Sequence, residues 1–166
     1  YHRLMPQARA LLTHGAEDAA ADRLFHQIGT FSFSYGAQPG DERFVEASVS
    51  IMEKLAPNSA SHASSLNNLA EFQKQAGQFD LALDTLERVK DTEANFPEIG
   101  PNHPSYAITL NNIAGIHFGR QDYSLAEPLY QQAQHIDQTT LGPDHPDTIA
   151  DDRNLGALYG TWAQGT

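Results

Sequence analysis

The 166-residue chain contains no cysteine, one tryptophan and two methionines, and it has no long hydrophobic run. Without cysteine it can form no disulfide, no thiolate metal site and no cysteine nucleophile. A chain without cysteine can function in a reducing or in an oxidising compartment. We favour a cytoplasmic location, and the periplasm is the alternative. The longest apolar runs are far shorter than the roughly 20 residues that cross a bilayer. The sequence therefore predicts no membrane insertion.

Basic residues are also few, because 10 Lys and Arg stand against 21 Asp and Glu. The resulting formal charge of -11 repels phosphate backbones and anionic lipid headgroups. The composition therefore predicts no nucleic-acid partner and favours a basic or neutral protein or peptide partner.

What the chain does contain is an internal repeat. The sequence Leu-Asn-Asn-Leu-Ala at 66–70 recurs as Leu-Asn-Asn-Ile-Ala at 110–114, and Asn-Leu-Gly at 154–156 echoes it 42 residues later. Repeats of this length indicate stacked units that touch only their neighbours. We therefore expect a long, thin hydrophobic seam rather than one central core.

Apolar spacing and the placement of Gly and Pro predict paired helices within these units. The expected helices cover residues 1–12, 16–35, 41–55, 62–76, 79–89, 104–119, 123–136 and 146–164. The predicted units are the trailing helix of an incomplete repeat (1–15), a degenerate repeat (16–57), two full repeats (58–101 and 102–143) and the first helix of a further incomplete repeat (144–166). The end helices lack partners, so we expect either further repeats in the native chain or docking of these faces on another subunit.

Aligning the predicted units brings similar residues into columns. Small residues recur where helices should cross closely, and aromatic residues recur where one helix pair should insert into the next. The columns are Ile28, Leu69, Ile113 and Leu155; Gly29, Ala70, Ala114 and Gly156; Phe44, Phe79 and Tyr123; Ala47, Ala82 and Ala126; and Ile51, Leu86 and Tyr130. Gln121 departs from the pattern, because it occupies the position of the helix-ending Gly77.

These columns resemble the tetratricopeptide repeat, and three phrases resemble its 42-residue kinesin-light-chain type. They are Asn-Asn-Leu-Ala at 67–70, Ala-Glu-Pro-Leu-Tyr at 126–130 and Leu-Gly-Pro-Asp-His-Pro-Asp-Thr at 141–148. The resemblance is specific over 62–162 and weaker over 16–55. It implies an all-α fold, a right-handed α-solenoid of antiparallel helix pairs in which the first helix of each pair lines a concave groove. It also implies a non-catalytic scaffold that holds a peptide or partner protein in that groove.

Asparagines precede the buried Leu or Ile in successive first helices, at Asn68, Asn112 and Asn154. An asparagine side chain both donates and accepts, so this asparagine column suits the backbone of an extended peptide. The alternative is that these side chains bond neighbouring helices or turns. Asn67 and Asn111, one residue earlier, are expected to support the same wall.

Other candidate contacts are basic and aromatic. Related arrays hold a terminal carboxylate with basic residues on first helices, and the comparable residues here are Arg23, Lys74 and Arg153, for which solvated surface charge is the favoured alternative. Pockets for ligand side chains are expected near aromatic residues, with core packing as an equally strong alternative. These aromatic residues are Phe33, Phe72 and Phe118.

His62, His103 and His145 recur 41 and 42 residues apart without forming a plausible metal site. Equivalent positions on packed helices lie about 8–10 Å apart, whereas zinc-bound nitrogens lie about 2.1 Å from a shared ion. We expect these histidines to order turns, and the aspartates at 144–152 to complement the dipole of the last helix. The sequence predicts no metal and no cofactor, and it contains no nucleotide-binding or nucleophile motif.

A second hypothesis makes the chain the regulatory or assembly arm of a larger enzyme or signalling complex. It would then dock or self-associate through its apolar ends, where Leu155, Tyr159 and Trp162 have no obvious cover. The sequence does not separate this hypothesis from groove binding.

Overall fold

The structure is a computed structural model that describes residues 5–15, 18–35, 41–96 and 100–165. All regular secondary structure in these ranges is α-helical, as the predicted fold class requires. The helices are α1 Met5–Thr13, α2 Ala19–Tyr35, α3 Glu42–Leu55, α4 Ala60–Gln75, α5 Phe79–Asn95, α6 Pro104–Gly119, α7 Tyr123–Thr140 and α8 Pro146–Gly165. The chain divides into two compact units, Tyr1–Thr92 and Glu93–Thr166.

Local capping chemistry defines the starts of α4 and α6, and most predicted helix bounds agree with the structure within about one turn. Ser59 accepts a hydrogen bond from the His62 amide at the start of α4, and the Nδ1 of His103 accepts one from the Ser105 amide at the start of α6. α7 continues through Pro128, which lies in its second turn. A proline this near the amino end removes one backbone hydrogen bond and leaves the rest of the helix intact.

In the amino-terminal unit the apolar side chains form two clusters along the helices. One cluster joins α1, α2 and α3, and the other joins α3 and α4 with Val89 of α5. The buried members of the first are Ala8, Ala21, Phe25, Ile28, Phe44, Ile51 and Met52, and those of the second are Val45, Val49, Ala63, Leu66, Leu69, Phe72 and Val89. α3 contributes to both clusters from different faces, so the core of this unit is a seam, as predicted.

The carboxyl-terminal unit repeats this arrangement with α7 between α6 and α8. Its buried residues are Tyr106, Ala107, Leu110, Ala133 and Ile136 in one cluster, and Ala114, Ala126, Tyr130, Leu155 and Leu158 in the other. Tyr123 packs between Phe118 and Trp162, with ring centroids 5.9 Å from each.

The residues of the aromatic column differ in exposure. Phe44 is buried against Phe25, and Tyr123 is covered by the ring of Trp162, but Phe79 remains 42% exposed. Equivalent aromatic positions in the repeats are therefore buried to different extents.

Glycine before a first helix has a specific backbone role. Gly15, Gly100 and Gly142 all have positive φ, the left-handed region that costs glycine little. In the remaining linker the left-handed residue is Asn58, two positions after Ala56, which the alignment places opposite the glycines. Asparagine tolerates this conformation better than most residues. The left-handed residue is therefore retained in this linker, but two positions later than in the others.

The turn between the helices of a pair has the same geometry at Gly77 and Gln121. Their φ values are 74° and 67°. In both turns the amide nitrogen of the following residue, Gln78 or Asp122, lies 2.8 or 2.9 Å from a carbonyl oxygen five residues earlier. This is the Schellman pattern that normally ends a helix on glycine. Gln121 therefore adopts a strained conformation to keep the turn.

Exchanging these residues should change stability in opposite directions. Gln121→Gly should raise the free energy of unfolding by about 1 kcal/mol by removing left-handed strain, and Gly77→Gln should lower it by about as much. No atom lies within 4 Å of a Cβ built on Gly77, so the second effect comes from the backbone rather than from a clash. Urea denaturation measures both, and changes of the same sign would contradict the assignment.

Candidate functional site

In the amino-terminal unit a groove lies between α2 and α4. Its volume is about 460 Å³. It is lined by Asp22, Arg23, His26 and Gln27 from α2 and by Ala60, Ser61, Ser64 and Ser65 from α4. We call this the α2–α4 groove. It is open, and beside apolar area it offers hydroxyl, amide, imidazole and guanidinium groups to a ligand.

Helical spacing explains why these residues share the groove. Asp22 and His26 are four residues apart on α2, and Ser61 and Ser65 are four apart on α4, so each pair lies on one helix face. The packing of α2, α3 and α4 brings these two faces opposite each other.

A chain of hydrogen bonds supports the groove from below. The Ser48 hydroxyl of α3 donates to Asp22 Oδ1 at 2.6 Å, and the Ser48 and Ser65 hydroxyl oxygens are 3.0 Å apart. Ser48 and Ser65 are buried, with 1% and 2% of their surface exposed. This Asp22–Ser48–Ser65 network therefore connects three helices and fixes Asp22. Sequence reasoning missed it, because Ser48 lies on a second helix and belongs to no recurring column.

One asparagine of the predicted column lies at this groove. The Asn68 amide nitrogen is 3.3 Å from His26 Nδ1, so α4 contacts the preceding first helix at a position 42 residues earlier. Asn68 thus has a partner within the protein, and that partner is one of the residues that line the groove.

In the carboxyl-terminal unit a comparable contact joins α6 to α8. The Asn111 amide nitrogen donates to Asp151 Oδ1 at 2.5 Å. Among the described residues no side-chain hydrogen bond is made by Asn112 or Asn154, and both are partly exposed. Asn112 and Asn154 therefore present free amide groups, whereas Asn111 holds the two first helices together.

This geometry agrees with a known type of repeat. Residues 105–164 match the family model of the tetratricopeptide repeat. These residues are tetratricopeptide repeats. Solved structures extend the same fold over nearly the whole chain. A Podosopora anserina protein described as a putative kinesin light chain with nearly identical TPR-like repeats has a TM-score of 0.73 at 20% identity, covering 98% of this chain and 87% of that one.

A second structure of that protein, carrying a single substitution, gives a TM-score of 0.75, also at 20% identity, covering 98% of this chain and 86% of that one. BtubC (BKLC) from P. vanneervenii gives 0.75 at 22% identity, covering 96% of this chain and 63% of that one. No curated protein matches the chain in sequence. The predicted resemblance to kinesin-light-chain-type tetratricopeptide repeats is thus confirmed, and the solved structures establish it at the level of the fold.

Several other candidate residues lie at defined places in the two units. Lys74 forms an ion pair with Glu71 one turn earlier on α4, whereas Arg153 is exposed on α8 without an ion pair among the described residues. The Oδ1 of Asn67 is buried without a described partner. Lys74 and Arg153 lie in different units, and no shared carboxylate site is described for them.

The aromatic candidates pack mainly within the protein. Phe118 packs on the α7–α8 cluster and on Tyr123, and Phe72 is buried in the α3–α4 cluster. Both contacts are those of core side chains. Phe33 lies outside the residues whose side chains the structure describes.

The recurring histidines have different surroundings. His103 and His145 accept backbone amide hydrogen bonds at the starts of α6 and α8, the turn-ordering role expected of them. His62 is instead buried, and both of its ring nitrogens lack a hydrogen-bond partner among the described residues. Burial lowers the pKa of His62, and the carboxylate of Glu53 partly opposes that shift.

Two negative findings apply to the described part of the chain. No cluster of three or more His, Asp or Glu side chains there could bind a metal ion. No helix in that part is long and apolar enough to cross a membrane.

Removing the middle of the Asp22–Ser48–Ser65 network should destabilise the amino-terminal unit. Ser48→Ala leaves buried polar groups without their partner, which costs about 1–3 kcal/mol. Ser50→Ala on the exposed face of the same helix is the matched control, and its effect should stay within about 0.5 kcal/mol. Thermal and urea unfolding compare the two variants. Equal effects would show that the network does not support the groove.

Proposed function

We propose that the chain is a non-catalytic scaffold that binds a peptide or partner protein in grooves between consecutive first helices. The tetratricopeptide fold generally mediates protein–protein interactions, which makes a protein partner the starting expectation. The observation that carries the proposal further is the α2–α4 groove, whose lining combines apolar area with hydrogen-bonding side chains. It lies between two consecutive first helices, the elements predicted to line the binding surface.

The groove has a suitable size and chemistry for a short stretch of polypeptide. Its volume of about 460 Å³ lies within the roughly 300–1,000 Å³ of typical ligand pockets. Gln27, Ser61 and Ser64 offer donors and acceptors to peptide N–H and C=O groups. Each such hydrogen bond contributes only about 0.5–1.5 kcal/mol net, so several must act together with inserted side chains.

The carboxyl-terminal unit offers a second set of proposed contacts on α6 and α8. Asn112 and Asn154 make no described hydrogen bond within the protein, so their amide groups can pair with a ligand backbone. Asn111 acts as support, because its amide is already bonded to Asp151. In the amino-terminal unit, Asn68 is the proposed ligand contact and Asn67 is its support.

Charge favours a basic or neutral partner. The chain carries a formal charge of -11, and residues 93–166 contain nine Asp or Glu but only two Lys or Arg. Complementary charge speeds encounter and disfavours acidic partners. A clamp for a terminal carboxylate is less favoured, because Lys74 already pairs with Glu71.

Filling the α2–α4 groove should abolish peptide binding there. Peptides are first selected on the wild-type protein from a random phage-displayed library and then measured by fluorescence polarisation. Ser64→Trp places a large ring in the groove and should weaken binding at least tenfold, about 1.4 kcal/mol. Ser50→Trp adds the same ring to the exposed face of α3 and should leave affinity unchanged.

Circular dichroism spectra of both variants serve as the control for folding. If Ser64→Trp binds every selected peptide as well as the wild type does, the groove is not the site. Loss of binding on substitution of the exposed Tyr159 instead would favour the alternative of docking through the end of α8. Failure to select any peptide tighter than millimolar would contradict peptide binding altogether.

A further inference from the structure

Two successive helix junctions in the carboxyl-terminal unit bury polar side chains at equivalent positions. Where α5 meets α6, the Thr109 hydroxyl donates to Glu93 Oε2 at 2.7 Å. Thr109 is fully buried and Glu93 is 2% exposed. A hydroxyl donor therefore satisfies a buried carboxylate at this junction.

At the next junction, between α7 and α8, the equivalent residues are both acids. Asp137 follows Glu93 by 44 residues and Asp151 follows Thr109 by 42, the two spacings that relate the repeats. Each aspartate is 1% exposed. The hydroxyl donor of the first junction is thus replaced by a second carboxyl group. We call these two residues the aspartate pair.

Two ionised carboxylates in this position would have no donor between them. Asp137 Oδ1 and Asp151 Oδ2 are buried and lack a hydrogen-bond partner among the described residues. The pair receives a hydrogen bond from α6, where the uncharged Asn111 amide donates to Asp151 Oδ1. One bound proton would supply the missing donor, because a protonated carboxyl group donates as a hydroxyl does.

The charges around the pair also favour protonation. Asp147 and Asp152 of α8 are negative neighbours, and Gln134 of α7 donates to Asp152. His145, in the turn before α8, opposes them, although its ring also lies 3.6 Å from a carboxylate oxygen of Asp147. Burial, and then the charge of Asp151, raise the pKa of Asp137 to about 6. Burial likewise raises the pKa of Asp151, and the Asn111 hydrogen bond opposes this.

We propose that Asp137 and Asp151 share one proton that holds α8 against α7, so that this helix is firmly docked in mild acid and loosens as the pH rises. The last described helix of the array is then a pH-sensitive element. Loosening would act on the α6–α8 surface that carries Asn112 and Asn154, although the proposal does not depend on those residues binding a ligand.

The sign of the effect follows from proton linkage. The folded state keeps a proton on the aspartate pair at pH values where the unfolded chain, with an ordinary aspartate pKa near 4, has lost it. The stabilisation is fully present below about pH 4 and is lost as the pH rises through about 6. Loss of the shared proton should therefore lower the folding equilibrium constant about tenfold between pH 5 and pH 8.

The chain contains its own reporter of α8 docking. Trp162 is its single tryptophan, lies in α8, and packs on Tyr123 of α7 with ring centroids 5.9 Å apart. Urea unfolding followed by tryptophan fluorescence therefore measures the stability of this junction. The experiment compares pH 5 with pH 8 in the intact chain.

The central variant is Asp151→Thr, which copies the Thr109–Glu93 arrangement of the preceding junction. This variant should be more stable than the wild type at pH 8. Its folding equilibrium constant should no longer show the roughly tenfold fall between pH 5 and pH 8 that is assigned to the aspartate pair. A smaller dependence of the same sign should remain, because burial also raises the pKa of Glu93. Asp137→Asn replaces the shared proton with an amide and should behave similarly, which keeps the test valid if one variant folds poorly.

Two controls separate the pair from general charge effects. Asp144→Asn removes one exposed negative charge before α8 and should keep the wild-type pH dependence. His145→Asn retains a side-chain acceptor for the helix start but removes the imidazole, and it should keep that dependence or strengthen it, because His145 opposes protonation of the pair.

Two results would overturn the proposal. One is a wild-type protein that is equally stable or more stable at pH 8 than at pH 5. The other is an Asp151→Thr variant and an Asp137→Asn variant that both keep the full wild-type pH dependence. The converse change, Thr109→Asp, should create a second carboxyl pair with Glu93 and increase the pH dependence, and absence of that increase would also count against it.

Discussion

Within each of the two units a second helix packs on the first helix that follows it, α3 on α4 and α7 on α8, and the rest of the structure depends on that packing. Inside each unit this packing brings residues about one repeat apart into contact. Asn68 reaches His26 at a separation of 42 residues, and Asn111 reaches Asp151 at a separation of 40. The repeat length of the sequence thus appears directly as the distance along the chain between bonded partners.

The same constraint makes each junction a place where polar groups must be satisfied. The α5–α6 and α7–α8 junctions bury polar side chains at equivalent positions, and a different polar network lies between α2, α3 and α4. The partners are a threonine and a glutamate, two aspartates, and the Asp22–Ser48–Ser65 network. Apolar columns fix the fold, whereas these polar residues give the individual junctions different properties. Because a buried polar group is costly unless it is paired, a single substitution here can make a junction sensitive to pH.

The helices and their turns could be predicted from the sequence because their causes are local. Pro104 and Pro146 open helices, and the glycines at 15, 100 and 142 adopt the left-handed turns that their positions indicate. Gln121 could be recognised as occupying a glycine position, and the structure shows that it keeps the glycine conformation. The exposure of Phe79 could not be predicted from its column, because burial depends on how neighbouring helices pack.

The candidate site was less predictable for the same physical reason. Arg23 and Asn68 were identifiable as residues of first helices, and both border the α2–α4 groove or its wall. The Ser48 network and the aspartate pair could not be identified, because each depends on how neighbouring helices pack. The aspartates before α8 suggested only a helix-dipole role, and repeat alignment with Glu93 and Thr109 is the signal that could have revealed the pair.

Hydrogen–deuterium exchange with mass spectrometry, performed with and without a selected peptide, tests the central claim most directly. Binding between consecutive first helices predicts slower exchange in peptides from α2 and α4, or from α6 and α8, because a bound chain restricts opening of the helices that it contacts. It predicts little change in α3 and in the middle of α7. Protection confined to those second helices, with α2, α4, α6 and α8 unchanged, would contradict the account.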